Sequence, residues 1–132
     1  MNVVIDTNVM VSGIFWAGIP LKIIRYWMND QIQAVASEDI LDEYLKTIEK
    51  TSNLTGRNDL YDYWRFVIPK KAQLIRVQKM FHLCRDPSDN KFIDCAIAAK
   101  AKYLISGDQD LLVLKNVMYV QIITPKHFLE VF

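Results

Sequence analysis

Short apolar runs alternate along the chain with longer segments whose apolar residues recur at helical spacing. The runs predict five strands: VVI at 3–5, QAVAS at 33–37, AQLIRV at 72–77, YLIS at 103–106 and MYVQII at 118–123. The segments between them predict helices at about 20–29, 38–50, 60–68 and 86–101, and a last helix from residue 125. Mostly apolar strands that alternate with helices are typical of an α/β fold with a central, mainly parallel sheet, here of about five strands.

Residues that start or stop helices set the predicted boundaries. Pro20 suits the first turn of a helix, and Ser37 is a good N-cap for the helix after it. The segments SGIFWAGIP at 12–20 and NLTGRND at 53–59 are predicted to be loops. Pro69 is expected to end the helix before it.

Composition and charge limit the class of protein without selecting one. The chain has 132 residues, 52 % of them hydrophobic, and a formal net charge of +1, which is typical of one globular domain spanning 1–132. Such a chain is not a strongly basic nucleic-acid binder, so any cationic surface must be a local patch. No apolar run approaches the roughly 18 residues of a membrane span, and no signal peptide is evident. Cys84 and Cys95 lack metal-ligand spacing, which favours buried free thiols and a cytoplasmic protein.

Two acids stand at the ends of hydrophobic segments. Asp6 follows VVI directly, and Asp108 follows YLIS after one glycine. Because the carboxyl ends of parallel strands meet along one edge of a sheet, both side chains are expected to face the same crevice. For Asp6 alone, an Asx-turn or a helix cap is an equal alternative, and the matching Asp108 favours a functional role.

Asp89 stands at the head of a helical stripe, because Phe92, Ile93 and Ala96 follow it at i+3, i+4 and i+7. A carboxylate at the head of a buried stripe has to be paired, capping or metal-bound, since an isolated buried charge is too costly. Helix capping is the main alternative to a functional role. Asp94 projects roughly 140° away from Asp89 and is expected to be solvated or to support the site.

Glu43 and Asp110 are less informative by position. Glu43 lies at the edge of the apolar stripe of its helix, where a glutamate is usually solvated, and Asp110 could cap a short helix or assist Asp108. Several carboxylates at one sheet edge repel one another strongly unless a cation neutralises them. Oxygen ligands without nearby histidine or cysteine favour Mg²⁺ or Mn²⁺, and such an ion suits phosphodiester hydrolysis.

Three segments, in this order, resemble those of the PIN-domain ribonucleases: VVIDTN at 3–8, SEDILDEYLKTI at 37–48 and DPSDNKFIDCAIAAKAKYLISGDQDLL at 86–112. The likeness is strongest to the VapC-like toxins of prokaryotic toxin–antitoxin systems and covers essentially the whole chain. The resemblance implies a three-layer α/β/α sandwich and an endoribonuclease that cleaves single-stranded RNA with Mg²⁺ or Mn²⁺. It also implies a homodimer and an antitoxin protein as partner.

The resemblance assigns roles to individual residues by motif. It implies a catalytic and metal-binding quartet of acids, Asp6, Glu43, Asp89 and Asp108. Asn8 and Ser106 match polar positions beside the quartet, where they would support it together with Asp94 and Asp110. Asn90 stands where many relatives carry another aspartate, which leaves open whether Asp89 or another residue of its segment is the third acid.

Residues that would bind RNA are less distinct. Arg85 and Lys91 could contact phosphates, and Trp16 could stack on a base or cover a dimer interface. An ordinary solvated side chain is the simpler interpretation of each cation.

Three other functions compete with this interpretation. A haloacid-dehalogenase-like phosphatase also begins with an aspartate after its first strand, but it needs a second acid two residues later, where this chain has Asn8. A response-regulator receiver domain needs a phosphorylated aspartate after the third strand, and none follows AQLIRV directly. A PIN fold that has lost its metal and serves as a binding scaffold is the third alternative, although the four retained acids argue against it.

Overall fold

The computed structural model describes residues 1–78 and 83–132. Strands and helices alternate along these two ranges, as the hydrophobic pattern predicts. In chain order the elements are β1 Asn2–Ile5, α1 Thr7–Phe15, α2 Gly18–Met28, β2 Gln33–Ala36, α3 Glu38–Thr55, α4 Asn58–Lys71, β3 Gln73–Leu74, α5 Asn90–Ala98, β4 Tyr103–Ile105, α6 Gln109–Leu112, β5 Asn116–Val117, β6 Val120–Ile123 and α7 Pro125–Val131. A 3₁₀ turn at Pro87–Asp89 leads into α5.

The strands of the described ranges form one sheet in the order β3-β2-β1-β4-β6-β5. All neighbouring strands are parallel except β5 and β6. The register of the central pair sets Val3 of β1 beside Tyr103 of β4, and Ile5 beside Ile105. The chain leaves β1 toward β2 on one side and later enters β4 on the other. The crevice at the carboxyl ends of β1 and β4 is therefore a topological switch point, where such folds bind ligands.

The residues of β1 are buried on both faces of the sheet. Successive side chains of a strand point to opposite faces, and Val3, Val4 and Ile5 are all 0 % exposed. One face of β1, β2 and β4 is packed against α5. The predicted fold class is confirmed: this is an α/β protein with a mainly parallel sheet between helices, as in a three-layer PIN-like sandwich.

Two strand predictions need correction. β3 is limited to Gln73–Leu74 at the edge of the sheet, so it is shorter than the predicted strand at 72–77. The run at 118–123 is not one strand, because Met118 and Tyr119 form the turn of a hairpin between β5 and β6. Met118 adopts the left-handed conformation, with a φ of 54°. This hairpin adds a sixth strand that the apolar pattern did not indicate.

The predicted loop at 12–20 is wrong. α1 occupies Thr7–Phe15, and α2 begins at Gly18. Residues 9–11 of α1 are three consecutive buried apolar residues, which hide the helical period on which the prediction depends. Because α1 begins directly after β1, its apolar residues could not be distinguished by their spacing from those of an apolar run that leads into a loop.

Other helix ends differ from their predicted positions. α3 continues to Thr55 and ends at Gly56, whose φ of 71° gives the left-handed C-cap that glycine favours. The loop predicted at 53–59 is therefore shorter than predicted, because α4 already begins at Asn58. Pro69 lies inside α4, two residues before its end, so it does not end the helix as predicted, although its missing N–H removes one hydrogen bond of the last turn. α5 ends at Ala98, earlier than predicted.

Gly13 lies where α1 packs against α2. A Cβ atom there would be 2.5 Å from Ile24 Cδ1 and 2.9 Å from the Pro20 carbonyl oxygen. Because the Pro20 backbone would have to move, we expect Gly13→Ala to lower the free energy of unfolding by about 1–3 kcal/mol. Urea unfolding measures this change, and Gly107→Ala is the matched control, since a Cβ at Gly107 meets nothing within 4 Å. Equal stability of the two variants would contradict the close approach.

Two expectations drawn from composition can be compared with the structure. No helix in the described part of the chain is by itself long and apolar enough to cross a membrane. α1 and α2 reach that length and hydropathy only as a pair, which is bent by 97°. Cys84 and Cys95 are both buried and free, as predicted.

Candidate active site

A buried serine connects the two acids at the ends of β1 and β4. Asp6 directly follows β1, and Ser106 directly follows β4. The Ser106 hydroxyl donates a hydrogen bond to Asp6 Oδ2 at 2.5 Å and accepts one from the backbone N–H of Asp108 at 2.9 Å. Ser106 therefore orients the Asp6 carboxylate and positions the loop that carries Asp108.

Three aspartates place carboxylate oxygens close together beside this serine. One oxygen each from Asp89, Asp108 and Asp110 lies within 4.8 Å of the other two. Asp108 Oδ1 also accepts a hydrogen bond of 2.9 Å from the backbone N–H of Asp110, so Asp108 caps α6 through this oxygen. Asp110, predicted only to support the site, is thus a full member of this acid cluster.

Asp89 belongs to the 3₁₀ turn before α5, whereas Asp108 and Asp110 follow β4. Asp89 is 8 % exposed, and its Oδ2 atom is buried without a hydrogen-bond partner within residues 1–78 and 83–132. Asp89 makes no side-chain capping bond to α5. Asp86 caps the 3₁₀ turn that precedes α5, since its carboxylate accepts a hydrogen bond from the backbone N–H of Ser88 at 3.0 Å. Capping therefore does not explain why an acid is buried at Asp89.

Asn90, the residue after Asp89, has a structural role. Its side-chain Oδ1 accepts a hydrogen bond of 3.1 Å from the backbone N–H of Cys84. Asn90 therefore ties the segment before the 3₁₀ turn to α5. This leaves Asp89 as the acid of its segment that joins the cluster.

Glu43 is paired and not simply solvated, contrary to the interpretation from spacing alone. Its Oε1 atom lies 2.7 Å from Lys91 Nζ, and its Oε2 atom accepts a hydrogen bond from the Thr7 hydroxyl. Glu43 is therefore held by one residue from α1 and one from α5. These contacts place it at the border of the acid cluster, where its charge raises the pKa of Asp6.

Tyr44, the residue after Glu43 on α3, stabilises the end of β1. Its buried hydroxyl donates a hydrogen bond to the carbonyl oxygen of Ile5, the residue before Asp6. We expect Tyr44→Phe to lower the free energy of unfolding by about 1–3 kcal/mol, because the Ile5 carbonyl would remain buried without its partner. Urea unfolding measures the loss, with the exposed Tyr63→Phe as matched control. Equal stability of both variants would mean that water satisfies this carbonyl.

Burial and mutual repulsion raise the pKa values of Asp89 and Asp6. Burial raises the pKa of Asp89 to about 7, and hydrogen bonding and charge repulsion from Asp108 act in the same direction. Burial also raises the pKa of Asp6, with the Asp108 charge adding to the effect and the Ser106 hydrogen bond opposing it. Ionising all of these carboxylates together therefore costs free energy unless a cation is present.

The residues of the acid cluster fit a hard divalent cation. The donor atoms are carboxylate oxygens, and Asp89 also has an Oδ2 atom that is buried and has no hydrogen-bond partner among the described residues. Oxygen donors of this type match Mg²⁺ or Mn²⁺ and not zinc. Asp89, Asp108 and Asp110 would hold the ion, with Asp6 beside them.

Two clefts border the acid cluster. The larger, about 1190 Å³, is lined by acids and bases of α3 and α5, including Glu43, Lys91 and Asp94. Asp94 is buried, so of the two roles expected for it a solvated side chain is excluded, and support of the site stays a prediction. The smaller cleft, about 700 Å³, contains Asp108 together with Asn8 and Arg85. A nucleic-acid strand could approach the acids from either side.

The three candidate RNA-binding residues occupy different settings. Arg85 forms a two-pronged pair with Asp110, with Nε to Oδ1 at 3.1 Å and a second contact at 3.3 Å. Lys91 is engaged by Glu43. Trp16 is 63 % exposed and packs its ring against Phe15. The contribution of each to RNA binding stays a prediction.

Sequence reasoning missed one residue that positions the site, Tyr44. Thr7, which follows Asp6 directly, is a polar residue that the sequence places where it could orient Asp6 or a water, and in the structure its hydroxyl donates to Glu43. Tyr44 looked like an ordinary core residue of α3. No local pattern announces its bond to the Ile5 carbonyl, which joins residues 39 positions apart.

The fold and the acid cluster define an α/β protein with a candidate metal centre at the switch point of its sheet. Residues 2–110 match the PIN domain family, which covers most of the chain. The chain therefore belongs to the PIN-domain family. It is also similar to an uncharacterized protein of Methanocaldococcus jannaschii, with 33 % identity over 143 aligned residues that cover 100 % of this chain and 92 % of the relative. No solved structure matches the chain.

Family membership agrees with the chemistry of the site. PIN domains are generally nucleases that use divalent metal ions, and the chain places a cluster of acids at the edge of the sheet. The family match and the acid cluster therefore support the expected class of protein, a PIN-domain hydrolase with a metal-binding acidic site.

Proposed function

We propose that this protein is a metal-dependent endoribonuclease that hydrolyses phosphodiester bonds of single-stranded RNA. The observation that carries the proposal is the convergence of Asp89, Asp108 and Asp110, with the buried Asp89 Oδ2 atom lacking a hydrogen-bond partner in the described part of the chain. A buried acid of this kind is stable in ionised form only next to a cation. The nuclease activity that is general among PIN domains supports the same conclusion.

The four aspartates of the site would have different roles. Asp89, Asp108 and Asp110 would hold the ion, with Asp6 at its border. When bound, Mg²⁺ or Mn²⁺ supplies polarisation of the phosphoryl group and lowers the pKa of an attacking water. Asp6 would be placed to accept a proton from an attacking water, because its carboxylate is connected to Asp108 through Ser106. Ser106 would keep the Asp6 carboxylate oriented for this step.

The RNA strand would be held by polar and cationic residues around the acids. Asn8 and Arg85 line the smaller cleft beside Asp108, where they could contact backbone phosphates. Lys91 stands on the side of the larger cleft. The exposed indole of Trp16 would stack on a base, which favours an unpaired strand over a duplex.

The resemblance to the VapC-like group supports a biological role. We propose that the protein is the toxin of a toxin–antitoxin pair, acting in the cytoplasm as a homodimer and held inactive by an antitoxin protein. Copurification with the product of a neighbouring gene, followed by loss of nuclease activity in the complex, would test this role. A monomer that no neighbouring product inhibits would favour another RNA-processing nuclease.

A circular single-stranded RNA tests the proposed reaction most directly, because a circle has no ends and only an endonuclease can open it. The purified chain would be incubated with this circle in Mn²⁺, in Mg²⁺ and in EDTA, beside a fully paired hairpin. We expect the circle to be linearised with either metal, and the hairpin stem and all EDTA reactions to remain intact.

Two other results would redirect the assignment. Cleavage that persists in EDTA would contradict the metal-dependent mechanism. Absence of cleavage with both metals, in a protein that binds RNA in a gel-shift assay, would favour the binding-scaffold alternative.

A further inference from the structure

The acids of the site differ in whether the protein itself supplies a counter-charge. Lys91 Nζ lies 2.7 Å from Glu43, and Arg85 Nε lies 3.1 Å from Asp110. Within residues 1–78 and 83–132, no ion pair involves Asp6, Asp89 or Asp108. The outer acids therefore have basic partners, and the inner acids do not.

The two outer pairs are not equivalent. The Arg85 side chain is 87 % exposed, and exposed ion pairs contribute little and exchange easily. The Lys91 side chain is only 20 % exposed, and its Nζ also donates a hydrogen bond of 2.7 Å to the Ser88 carbonyl oxygen. Lys91 is thus anchored where it is, while Arg85 can release Asp110.

Both carboxylate oxygens of Glu43 already have a partner. Lys91 holds one of them, and the Thr7 hydroxyl donates to the other. A metal ion that approaches Glu43 would therefore meet the Lys91 ammonium, whose charge repels it. Asp89 differs, because its Oδ2 atom is buried and has no hydrogen-bond partner among the described residues.

We propose that Lys91 is a positioning residue that takes the place of a second divalent cation, so that the site binds one metal ion and Glu43 stands beside it without ligating it. A protein ammonium beside Glu43 supplies the charge that a second ion would otherwise bring. Removing that ammonium leaves Glu43 unpaired next to the inner acids, which creates a second place for a cation. Because this role rests on the proposed metal-dependent function, its test measures metal binding without RNA.

The test counts Mn²⁺ ions per chain by titrating metal-free protein and following the free ion by electron paramagnetic resonance. We expect the wild type and Lys91→Arg to bind one ion, and Lys91→Met to bind two. Glu43→Gln should also bind one ion, with its Kd changed by less than about tenfold, the smaller end of the effect of an outer-shell partner. The double variant Lys91→Met with Glu43→Gln should return to one ion.

Each contrary result has a distinct meaning. Two ions in the wild type, or one ion in a folded Lys91→Met protein, would overturn the role of Lys91. Loss of Mn²⁺ binding in Glu43→Gln would show that Glu43 is a ligand, and this variant decides the question even where Lys91→Met fails to fold. A wild type that binds no Mn²⁺ would instead overturn the proposed metal-dependent function itself.

Discussion

Asp108→Asn is expected to lower the rate of metal-dependent RNA cleavage by on the order of 100-fold or more, the usual effect of removing a group that acts directly in catalysis. Asp108 joins Asp89 and Asp110 in the acid cluster and is connected to Asp6 through Ser106. Its replacement removes a charge from the place where the ion would bind. Initial rates on single-stranded RNA at saturating Mn²⁺ measure the effect.

The choice of asparagine separates chemistry from folding. Asp108 caps α6 by accepting a hydrogen bond from the backbone N–H of Asp110, and asparagine is an equally good N-cap. The metal-free variant should be more stable than the wild type, since one of several repelling carboxylates is gone. Lost activity with a raised Tm is therefore the expected combination.

Asp62→Asn provides the matched control for this substitution. Asp62 lies on α4 with its side chain 67 % exposed, where it forms only a long surface pair with Arg65. We expect this variant to retain wild-type activity and Tm. If Asp108→Asn cleaved RNA as fast as Asp62→Asn does, Asp108 would have no part in the reaction.

The position of the site was predictable because it depends on topology. Asp6 and Asp108 follow apolar strands, and the rule that parallel strands end at one edge of the sheet is enough to bring them together. The structure adds Ser106 as the group that connects them. The burial of Asp89 was likewise predictable, since it continues the stripe of buried residues on α5.

The partners within the site were not predictable, because they come from distant segments. Spacing along α3 suggested a solvated Glu43, but its partners Thr7 and Lys91 belong to α1 and α5. Asp94 was expected on similar grounds to be either solvated or a residue that supports the site, and the fold buries it. A helical wheel describes one helix, whereas these contacts depend on how three elements pack together.

The stability of the metal-free protein should fall as the pH rises from 5 to 8. Burial and the neighbouring Asp108 raise the pKa of Asp89 to about 7 in the folded state, against about 3.9 for an unfolded aspartate. Between these values the folded chain keeps a proton that the unfolded chain has released, so unfolding releases protons and is favoured by higher pH. The stability that depends on this proton is complete below about pH 4 and is lost as the pH passes about 7.

The expected size of this effect is large for a chain of this length. We expect the Tm in EDTA to drop by roughly 5–10 °C between pH 5 and pH 8. Mn²⁺ at pH 8 should restore most of the loss, because an ion that binds only the folded state stabilises it, by about 2.7 kcal/mol at 100 times its Kd. Differential scanning calorimetry across this range, with and without Mn²⁺, measures both changes.

Asp89→Asn isolates the contribution of Asp89 from that of other titrating groups. An asparagine cannot ionise, so the slope of Tm against pH in EDTA should become much shallower, and Mn²⁺ should stabilise this variant far less at pH 8. Asp6, whose pKa is also raised by burial, should leave a smaller slope of the same sign. Asp62→Asn should keep the full wild-type slope, since its side chain is exposed. An undiminished slope in Asp89→Asn would mean that another group produces the pH dependence, and the prediction for Asp89 would be wrong.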